Sequence, residues 1–327
     1  MAHNISLNGF SYRLRPVNIK DAEFIVDLRT IDADRNKYIN ITSTDANLQK
    51  KWILEYQTRN NDYYFVIENI LDSSQEGVIA IYDVNDNKAE WGRWVLKKSS
   101  LASIESVDLI FKVAFDILKL DEVYCRTIKD NSAVVSFHDS LLMMRRETTD
   151  KKIKLNDKSY DFIEHYVTKT SYKEELQINL ESKNSAVFQR NFRQLFGNLE
   201  FHHIGIATRD IEKEFLSYRI LGYSRESMEF KDDLQGVKGL FIVARNQPRL
   251  ELLENLPNSN TLDFWLKNRI KAYHFAYKAS NIDDIIKSFN KNKIKVISQP
   301  KYSSFFKKRI CFLALSNMFL IELIEND

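Results

Sequence analysis

Two stretches of the chain repeat each other: HHIGIATRDIEKEF at 202–215 aligns without a gap with YHFAYKASNIDDII at 273–286. At the same offset of 71 residues, RLELLE at 249–254 aligns with LIELIE at 320–325. Self-similarity at a fixed offset indicates a duplicated structural unit. Hydrophobic periodicity predicts that each copy begins with an alternating strand, continues into an amphipathic helix and ends with an apolar strand.

The duplication repeats one His and one Glu, so that His203 and Glu251 correspond to His274 and Glu322. Each Glu lies within an apolar strand, where a buried carboxylate is costly unless it is paired or binds a metal. Two imidazoles and two carboxylates form an N2O2 ligand set that suits a divalent ion with coordination positions left open. The alternatives are a buried polar network, or edge strands whose Glu side chains face solvent.

These repeats resemble the vicinal oxygen chelate family, which includes glyoxalase I and the methylmalonyl-CoA epimerases. The resemblance covers about 199–327 and rests on HHIGIATRDIEKEFLSYRILGY, PRLELLENLP, AYHFAYKASNIDDIIKSF and MFLIELIEND. It implies a domain of paired βαβββ modules that hold a divalent ion, which would be Zn, Mn, Co, Ni or Fe. The implied metal ligands are His203, Glu251, His274 and Glu322.

The same resemblance implies that Glu322 is also the proton-transfer base, and that Asp232 or Asp233 is a further carboxylate of the site. Tyr273 is a departure, because the epimerases usually have a second His at that position. The basic, aromatic stretch KYSSFFKKRI at 301–310 is either a surface for an anionic substrate or a solvated turn.

The first 170 residues alternate predicted helices and strands in a different order. We expect a short strand and then a helix within 13–29, further helices within 47–59, 103–120 and 131–143, and strands at 63–69, 77–84, 89–97, 122–129 and 158–170. This part resembles the GCN5-related N-acetyltransferases, or GNAT superfamily, and its ribosomal-protein and nucleotide-sugar amine branches. The resemblance covers about 10–170 and rests on LRPVNIKDAEFIVDLR, DYYFVIE, EGVIAIYDV, AEWGRWVL and NSAVVSFH.

The acetyltransferase resemblance implies a binding site for acetyl-CoA or another acyl-CoA. A splayed strand matching Trp94–Lys97 would expose its backbone groups to the pantetheine arm, and the next loop and helix start, 97–106, would hold the pyrophosphate. The implied contacts are Trp94, Val95, Leu96, Lys97, Lys98, Ser99, Ser103 and Asn131. Two departures are that the 97–106 loop contains no glycine and that Leu142-Met143 replaces the usual Gly-aromatic pair.

His138 occupies the position where this superfamily often has a tyrosine that protonates the leaving thiolate. A histidine can do this near neutral pH, although a packed helix histidine is the alternative. Glu90 and Asp83 are candidates to accept the amine proton, and each could instead be solvated. Trp91, Trp94, Tyr63 and Tyr64 form either a sugar-stacking wall or part of the core.

A chain of 327 residues suggests two domains, predicted as 1–170 and 199–327 with a helical connector at 171–198. The overall class is α+β, a GNAT-like domain followed by a glyoxalase-like domain. A formal charge of +3 gives no case for nucleic acid or membranes as partners. Two cysteines and the lack of a long apolar run predict a cytoplasmic, soluble protein. We expect small-molecule substrates, with a homodimer left open.

Two hypotheses on function follow. One is a bifunctional enzyme, in which an N-acetyltransferase acting on an amino sugar or similar amine is fused to a divalent-metal-dependent isomerase or epimerase, in a setting such as surface polysaccharide synthesis. The other is that only one domain is catalytic, and that its partner binds a ligand or mediates dimerisation. Under this second hypothesis, the glycine-free loop favours the acetyltransferase half as the one that has lost activity.

Overall fold

The computed structural model describes residues 3–147, 152–288, 294–315 and 317–326. The chain divides into two compact units, Met1–Asn191 and Phe192–Asp327. Both units combine helices with β-sheet, so the predicted α+β class is confirmed. The first unit extends past the predicted boundary at residue 170, because the helical segment that follows contributes the buried Tyr172, Leu176 and Leu180 to its core.

The first unit is built on a mostly antiparallel sheet. Its strands are β1 (Leu7–Asn8), β2 (Tyr12–Pro16), β3 (Tyr63–Asn69), β4 (Gln75–Asn85), β5 (Lys88–Leu96), β6 (Glu122–Ile128), β7 (Met144–Arg146), β8 (Ile153–Leu155), β9 (Lys158–Tyr160) and β10 (Phe162–Thr168). In the part of the chain that the structure describes, the sheet order is β1-β2-β3-β4-β5-β6-β10-β7, and β8 pairs with β9 separately. The β5–β6 pair is parallel and the others are antiparallel.

Helices cover this sheet and complete its core. They are α1 (Ala22–Thr30), α2 (Ala46–Tyr56), α3 (Ser103–Lys112), α4 (Ser132–Ser140), α5 (Lys169–Ser171) and α6 (Gln177–Phe196). The predicted long helix at 103–120 is α3 followed by a π-helical turn at Val113–Ile117. The apolar side chains of α3 pack in a buried cluster with β2, β3 and β5, including Phe111 against Trp91 at 5.8 Å between ring centroids.

The two central strands of the first unit separate from each other. β5 pairs with β6 only through Lys88, Ala89 and Glu90. Beyond Glu90, β5 keeps its pairing with β4 on the other side, as far as Leu96 opposite Gly77. In the described chain the remaining edge of β5 therefore faces a gap in the sheet, and its backbone amides are left available to a ligand.

The second unit is one sheet with three short helices in its described part. Its elements are β11 (Glu200–Ala207), α7 (Ile211–Arg219), β12 (Ser224–Arg225), β13 (Phe230–Asp232), β14 (Val237–Val243), β15 (Leu250–Asn255), α8 (Asp263–Lys267), β16 (Ala272–Ala279), α9 (Ile282–Ser288), β17 (Ile294–Ser303), β18 (Lys308–Leu315) and β19 (Leu320–Glu325). The strand order is β12-β14-β15-β11-β16-β19-β18-β17, with β13 on β14.

The strand register of the second unit reproduces the sequence duplication. In the first copy β11 and β15 pair in parallel with Gly205 opposite Glu251. In the second copy β16 and β19 pair in parallel with Ala276 opposite Glu322. Both pairs of positions are related by the offset of 71, so the two copies have the same internal geometry. The antiparallel β11–β16 pair joins the copies at the centre of the sheet.

Candidate active site and metal centre

The gap between β5 and β6 opens into a cavity of about 700 Å³ in the first unit. The cavity wall includes Glu90 and Trp94 from β5, Cys125 from β6, and Asn131 and His138 at α4. A space of this size is within the usual range for small-molecule sites. Four of the residues predicted from the sequence, Glu90, Trp94, Asn131 and His138, thus line one cavity.

The other predicted acyl-CoA residues lie around the end of β5. Val95 is buried in a hydrophobic cluster, and Leu96 packs against the core. Lys97, Lys98 and Ser99 are exposed in the loop before α3, and Ser103 is the first residue of that helix.

The start of α3 has free hydrogen-bonding capacity. The N-cap residue Ala102 has no side-chain acceptor that could cap the helix, and among the described residues the first backbone bond into the helix is donated by Ser106 N to Ala102 O. The amides of the first turn, such as that of Ser103, therefore lack an intrahelical acceptor, as is usual at a helix N-terminus. Uncapped amides and the helix dipole suit an anion.

Glu90 is buried in the wall of the cavity and is held by Arg126 of β6. Arg126 donates from Nε to Glu90 Oε2 at 3.1 Å and forms an ion pair with the same carboxylate. The neighbouring Tyr82 hydroxyl has its pKa raised by burial and by this carboxylate. Asp83, the second predicted proton acceptor, is exposed and does not line the cavity.

His138 is buried, with only 2% of its surface exposed. Its Nδ1 lies 3.5 Å from Cys125 Sγ and 3.4 Å from Thr127 Oγ1, while its Nε2 has no hydrogen-bond partner in the described chain. Burial, together with the nearby His165, lowers the pKa of His138 to about 3. The imidazole is consequently neutral at neutral pH and carries a single N–H.

The predicted aromatic cluster divides between the cavity and the core. Tyr64, Trp91 and Trp94 line the cavity, whereas Tyr63 packs against the core and is absent from the cavity wall. Trp52, which the sequence analysis did not single out, also lines the cavity.

Arginines that the sequence analysis missed also face this cavity. Arg93 lies 4.5 Å from the Tyr82 ring centroid and pairs with Asp62 at 2.6 Å. In the described residues Arg29 donates only to neutral oxygens, Thr42 Oγ1 at 2.6 Å and Asn40 O at 3.1 Å. Arg93 has a left-handed backbone with φ of 46°, which no sequence pattern indicates.

In the second unit the four predicted metal ligands lie together. One donor atom from each of His203, Glu251, His274 and Glu322 falls within 4.8 Å of every other, and all four residues are buried. His203 Nε2 is 2.9 Å from Glu251 Oε2, 3.4 Å from Glu322 Oε2 and 3.1 Å from His274 Nε2. Metal–ligand bonds of about 2.0–2.2 Å place neighbouring donors roughly 3–3.5 Å apart, so these separations fit a shared ion.

The β11–β16 pairing makes room for the two imidazoles. Gly205 is opposite His274, and Ala276 is opposite His203. A Cβ at Gly205 would lie 2.0 Å from His274 Cε1, so only glycine leaves space for the ring in its present position.

The chemistry of the quartet also fits a cation. Burial raises the pKa of Glu251 to about 7 and lowers the pKa of His203 to about 3. Glu322 Oε2 has no hydrogen-bond partner in the described chain, although it is 3.4 Å from Nε2 of both histidines. Buried carboxylate oxygens without a partner are costly, and a bound cation would satisfy them.

The space above the quartet is nearly filled by aromatic rings. The cavity there measures only about 10 Å³ and is lined in part by Phe305, Phe306 and Tyr273. Phe305 stacks on Phe230 at 3.7 Å, and Phe306 lies parallel to the His203 ring at 6.2 Å. Both phenylalanines belong to the turn between β17 and β18, so this turn closes the site.

The two predicted aspartates have different environments. Asp232 is buried at the same cavity and accepts a hydrogen bond from Ser303 Oγ at 2.7 Å. Asp233 is exposed. The ambiguity of register in this loop therefore resolves in favour of Asp232 as the residue near the quartet.

Comparisons with known proteins identify both halves of the chain. A family model described as an acetyltransferase (GNAT) domain matches residues 12–141, and one described as the glyoxalase/bleomycin resistance protein/dioxygenase superfamily matches residues 202–312. The two family resemblances are thereby confirmed. No curated protein matches the sequence.

Several solved structures are similar to the first unit. Apo FdhC, described as a nucleotide-linked sugar GNAT, is 30% identical, with 57% of this chain and 99% of that chain covered and a TM-score of 0.46. A mutant spermidine N-acetyltransferase SpeG from Vibrio cholerae is 15% identical, with coverages of 51% and 98% and a TM-score of 0.44. A GCN5-related N-acetyltransferase from Brucella melitensis is 13% identical, with coverages of 56% and 85% and a TM-score of 0.49.

None of the helices in the described residues is both long and apolar enough to cross a bilayer. The chain thus carries a GNAT acetyltransferase domain in its first unit and a domain of the glyoxalase/bleomycin resistance protein/dioxygenase superfamily in its second.

Proposed function

We propose that the first unit transfers an acyl group from acyl-CoA to the amine of a small anionic acceptor such as a nucleotide-linked amino sugar. The separation of β5 from β6 is the observation that carries this proposal. It leaves a strand edge that can pair with the amides of a pantetheine arm, directly beside a cavity of about 700 Å³. The uncapped start of α3 follows β5 and supplies amides for the pyrophosphate.

The charge of the cavity wall supports an anionic acceptor. Four cationic side chains line it in the described residues, and Glu90 is the one acidic side chain there; the cations are Arg29, Arg93, Arg126 and Lys154. Since Arg29 donates only to neutral oxygens within the described residues, its guanidinium can bind a phosphate of the acceptor. Arg93 is paired with Asp62 and Arg126 with Glu90, so Arg29 and Lys154 give the wall its net positive charge, which disfavours a polycationic amine. The 30% identical relative described as a nucleotide-linked sugar GNAT is consistent with this acceptor class.

Glu90 and His138 take different parts in the proposed reaction. Glu90 accepts the proton that the attacking amine loses, and its ion pair with Arg126 fixes the carboxylate in the cavity wall. His138 is neutral, so it stabilises the departing thiolate with a hydrogen bond from its single N–H, and the thiolate then takes its proton from solvent. Trp91 and Trp94 provide aromatic surface beside this histidine.

Calorimetric titration of acetyl-CoA into the full chain tests the acyltransferase proposal. We expect saturable binding that is weakened about tenfold by Ser103→Glu and left near wild type by Ser103→Gln. The added negative charge opposes the pyrophosphate at the start of α3 but is compatible with the helix dipole, and Gln has a similar size without the charge. Absence of binding to the wild-type chain would refute the proposal.

We propose as a second activity that the second unit is a divalent-metal-dependent isomerase or epimerase. When bound, a divalent ion supplies Lewis-acid polarisation of substrate oxygens. His203, Glu251, His274 and Glu322 would hold it, and Glu322 Oε2 is the atom that would carry the transferred proton. Asp232 is a second buried carboxylate beside the same cavity.

The alternative for this unit is a ligand-binding or dimerisation module without catalysis. The nearly filled cavity favours that alternative, because a substrate needs the turn with Phe305 and Phe306 to move. Elemental analysis of the purified full chain separates a metal site from a polar network. We expect His203→Ala/His274→Ala to lose one equivalent of metal. Equal metal content in the variant and wild type would show that the quartet does not bind metal.

The combined activities suit a cytoplasmic step in the assembly of amino-sugar-containing surface polysaccharides. This setting follows from the proposed acceptor class. Chromatography of the product formed from acetyl-CoA and a panel of sugar nucleotides tests the acceptor. Acylation of a free amino sugar, which lacks phosphate, in preference to its nucleotide-linked form would overturn the assigned acceptor class.

A further inference from the structure

Three potential metal ligands converge in the first unit at the wall of the acyl-transfer cavity. Cys125 lies on β6, His138 on α4 and His165 on β10, and His165 is the direct cross-strand neighbour of Cys125. One donor atom from each lies within 4.8 Å of the other two. All three residues are at least 95% buried.

Two imidazole nitrogens in this cluster have no hydrogen-bond partner in the described chain. They are His138 Nε2 and His165 Nδ1. Each is a buried polar atom whose desolvation is uncompensated, and such atoms call for an explanation in a native structure. Packing alone does not explain why these two nitrogens lack partners. A cation bound by one nitrogen of each ring would leave only the His138 Nε2–H without a partner.

The hydrogen bonds around the cluster select the donor atoms. His165 Nε2 is 3.1 Å from Asp139 Oδ1, so Nδ1 is the nitrogen left for a metal. Arg145 holds the same Asp139 carboxylate from its Nε at 2.8 Å. A carboxylate behind a ligating histidine is the usual arrangement for fixing the ring and its tautomer in metal sites. Arg145 also lowers the pKa of Asp139 to about 2, so this carboxylate is ionised at neutral pH.

The distance between the other two donors matches a tetrahedral zinc site. Cys125 Sγ and His138 Nδ1 are 3.5 Å apart. Zinc bonds of about 2.3 Å to sulfur and about 2.0 Å to nitrogen place such a pair roughly 3.6 Å apart at a tetrahedral angle. A thiolate with two imidazoles is also a soft-to-borderline set that favours zinc over magnesium or calcium.

We propose that Cys125 Sγ, His138 Nδ1 and His165 Nδ1 bind a zinc ion, with the fourth position available to water or a ligand in the cavity. Binding converts the Cys125 thiol to a zinc-bound thiolate and releases its proton to solvent. Cys125 and His138 both line the cavity, so the ion lies beside the proposed acyl-transfer site. With Nδ1 on the metal, His138 keeps its proton on Nε2, where it can donate to the thioester sulfur. Metal binding itself does not depend on the proposed acyltransferase activity.

Cobalt substitution distinguishes this site from the quartet in the second unit. Chelator-stripped full chain is titrated with Co²⁺ and followed by near-ultraviolet absorption, where a cobalt-bound thiolate gives a charge-transfer band. The quartet offers only nitrogen and oxygen donors, so cobalt bound there gives no such band. We expect the band in wild type and in His203→Ala/His274→Ala, which retains Cys125.

Matched cysteine variants complete the experiment. Cys311 is the other free, buried cysteine and lies in the second unit. The charge-transfer band should disappear in Cys125→Ser and persist in Cys311→Ser. Absence of the band in wild type, or its persistence in Cys125→Ser, overturns the proposal.

A variant outside the ligand set keeps the test valid if Cys125→Ser does not fold. Asp139 is 38% exposed at its side chain, so Asp139→Asn should preserve the fold, as checked by circular dichroism. We expect this change to weaken zinc binding about 10–100-fold in competition with a chromophoric chelator, because the carboxylate orients His165. Unchanged affinity in folded Asp139→Asn would contradict the assignment of His165 as a ligand.

Discussion

The absence of a Cβ at Gly205 leaves the space that the His274 ring occupies in the quartet. The position opposite His274 admits no Cβ, whereas the equivalent position in the other copy, Ala276 opposite His203, already has one. The two copies therefore differ in the side chain that lies opposite each imidazole. Gly205 is therefore a better position than Ala276 at which to test whether an added Cβ disturbs metal binding.

We predict that Gly205→Ala displaces the His274 ring and weakens metal binding by about tenfold or more, with a loss of about 1–3 kcal/mol in unfolding free energy from overpacking. Ala276→Gly is the matched control, because it removes an atom at the equivalent position and should keep metal affinity within about threefold. Manganese titration followed by calorimetry measures both. Equal affinities in the two variants would show that His274 does not need this space.

Glu105 is a buried carboxylate whose function is in the fold of the first unit. It accepts hydrogen bonds from Ser11 N at 3.0 Å and Tyr12 N at 3.3 Å. Burial raises the pKa of Glu105 from 4.5 to about 7, despite these hydrogen bonds. In the folded chain the carboxyl consequently keeps its proton to a higher pH than in the unfolded chain.

We predict that this group destabilises the folded state as pH rises between about 4.5 and 7. Well below pH 4.5 the Glu105 carboxyl is protonated in both the folded and the unfolded state. Between pH 4.5 and about 7 it is ionised in the unfolded state but still protonated in the folded state, so the free energy of unfolding falls through that window. Relative to Glu105→Gln, wild type should lose on the order of 2–3 kcal/mol between pH 4.5 and 8. Urea unfolding followed by tryptophan fluorescence measures the difference; parallel pH profiles would contradict the prediction.

At the scale of elements, the turn between β17 and β18 covers the quartet. Phe305 and Phe306 fill the space above the four ligands, and Ser303 at the end of β17 donates to the buried Asp232. The sequence predicted either an anionic-substrate surface or a solvated turn here. The structure instead directs the two phenylalanines into the site.

We predict that Phe306→Ala speeds the release of bound metal to excess chelator on the order of tenfold, because the ring over His203 no longer needs to move aside. Tyr302→Ala is the control, since Tyr302 is on the same hairpin but is half exposed and absent from the cavity wall. Stopped-flow chelation measures the two rates. Identical rates would mean that the turn does not gate the site.

Local patterns were sufficient to predict most elements of the first unit, whereas a splayed strand at its centre was implied only by the acetyltransferase resemblance. The alternation of apolar residues gave β3 and β5 to within one residue of their bounds. The separation of β5 from β6 depends on pairing between strands about 30 residues apart, which periodicity cannot report. For the same reason, the cross-strand contact of Cys125 with His165 could not be anticipated, although each strand was predicted.

At the scale of the whole molecule, the duplication made the second unit the more predictable half. Two aligned copies fixed the partners of each His and Glu, because equivalent residues in a repeat occupy equivalent places. The structure brings those four side chains together. What the repeat could not reveal is the packing that differs between copies, such as the aromatic turn of the second copy.

We predict that the two proposed binding functions are separable in the full chain. Acetyl-CoA should bind His203→Ala/His274→Ala with a dissociation constant within about twofold of wild type, since its contacts all lie in the first unit. The reciprocal change, Ser103→Glu, should leave the metal content of the second unit unaltered. Calorimetry and elemental analysis read out the two effects, and a large cross-effect would show coupling.

The equal contribution of the two copies to one quartet has a further consequence for unfolding. Each copy supplies two of the four ligands, so neither copy retains the complete site when the other unfolds. A bound ion would link β11 to β16, and it would dissociate when either copy unfolds. Chelation should therefore broaden the melting transition of the second unit, as the halves begin to come apart one after the other instead of in concert.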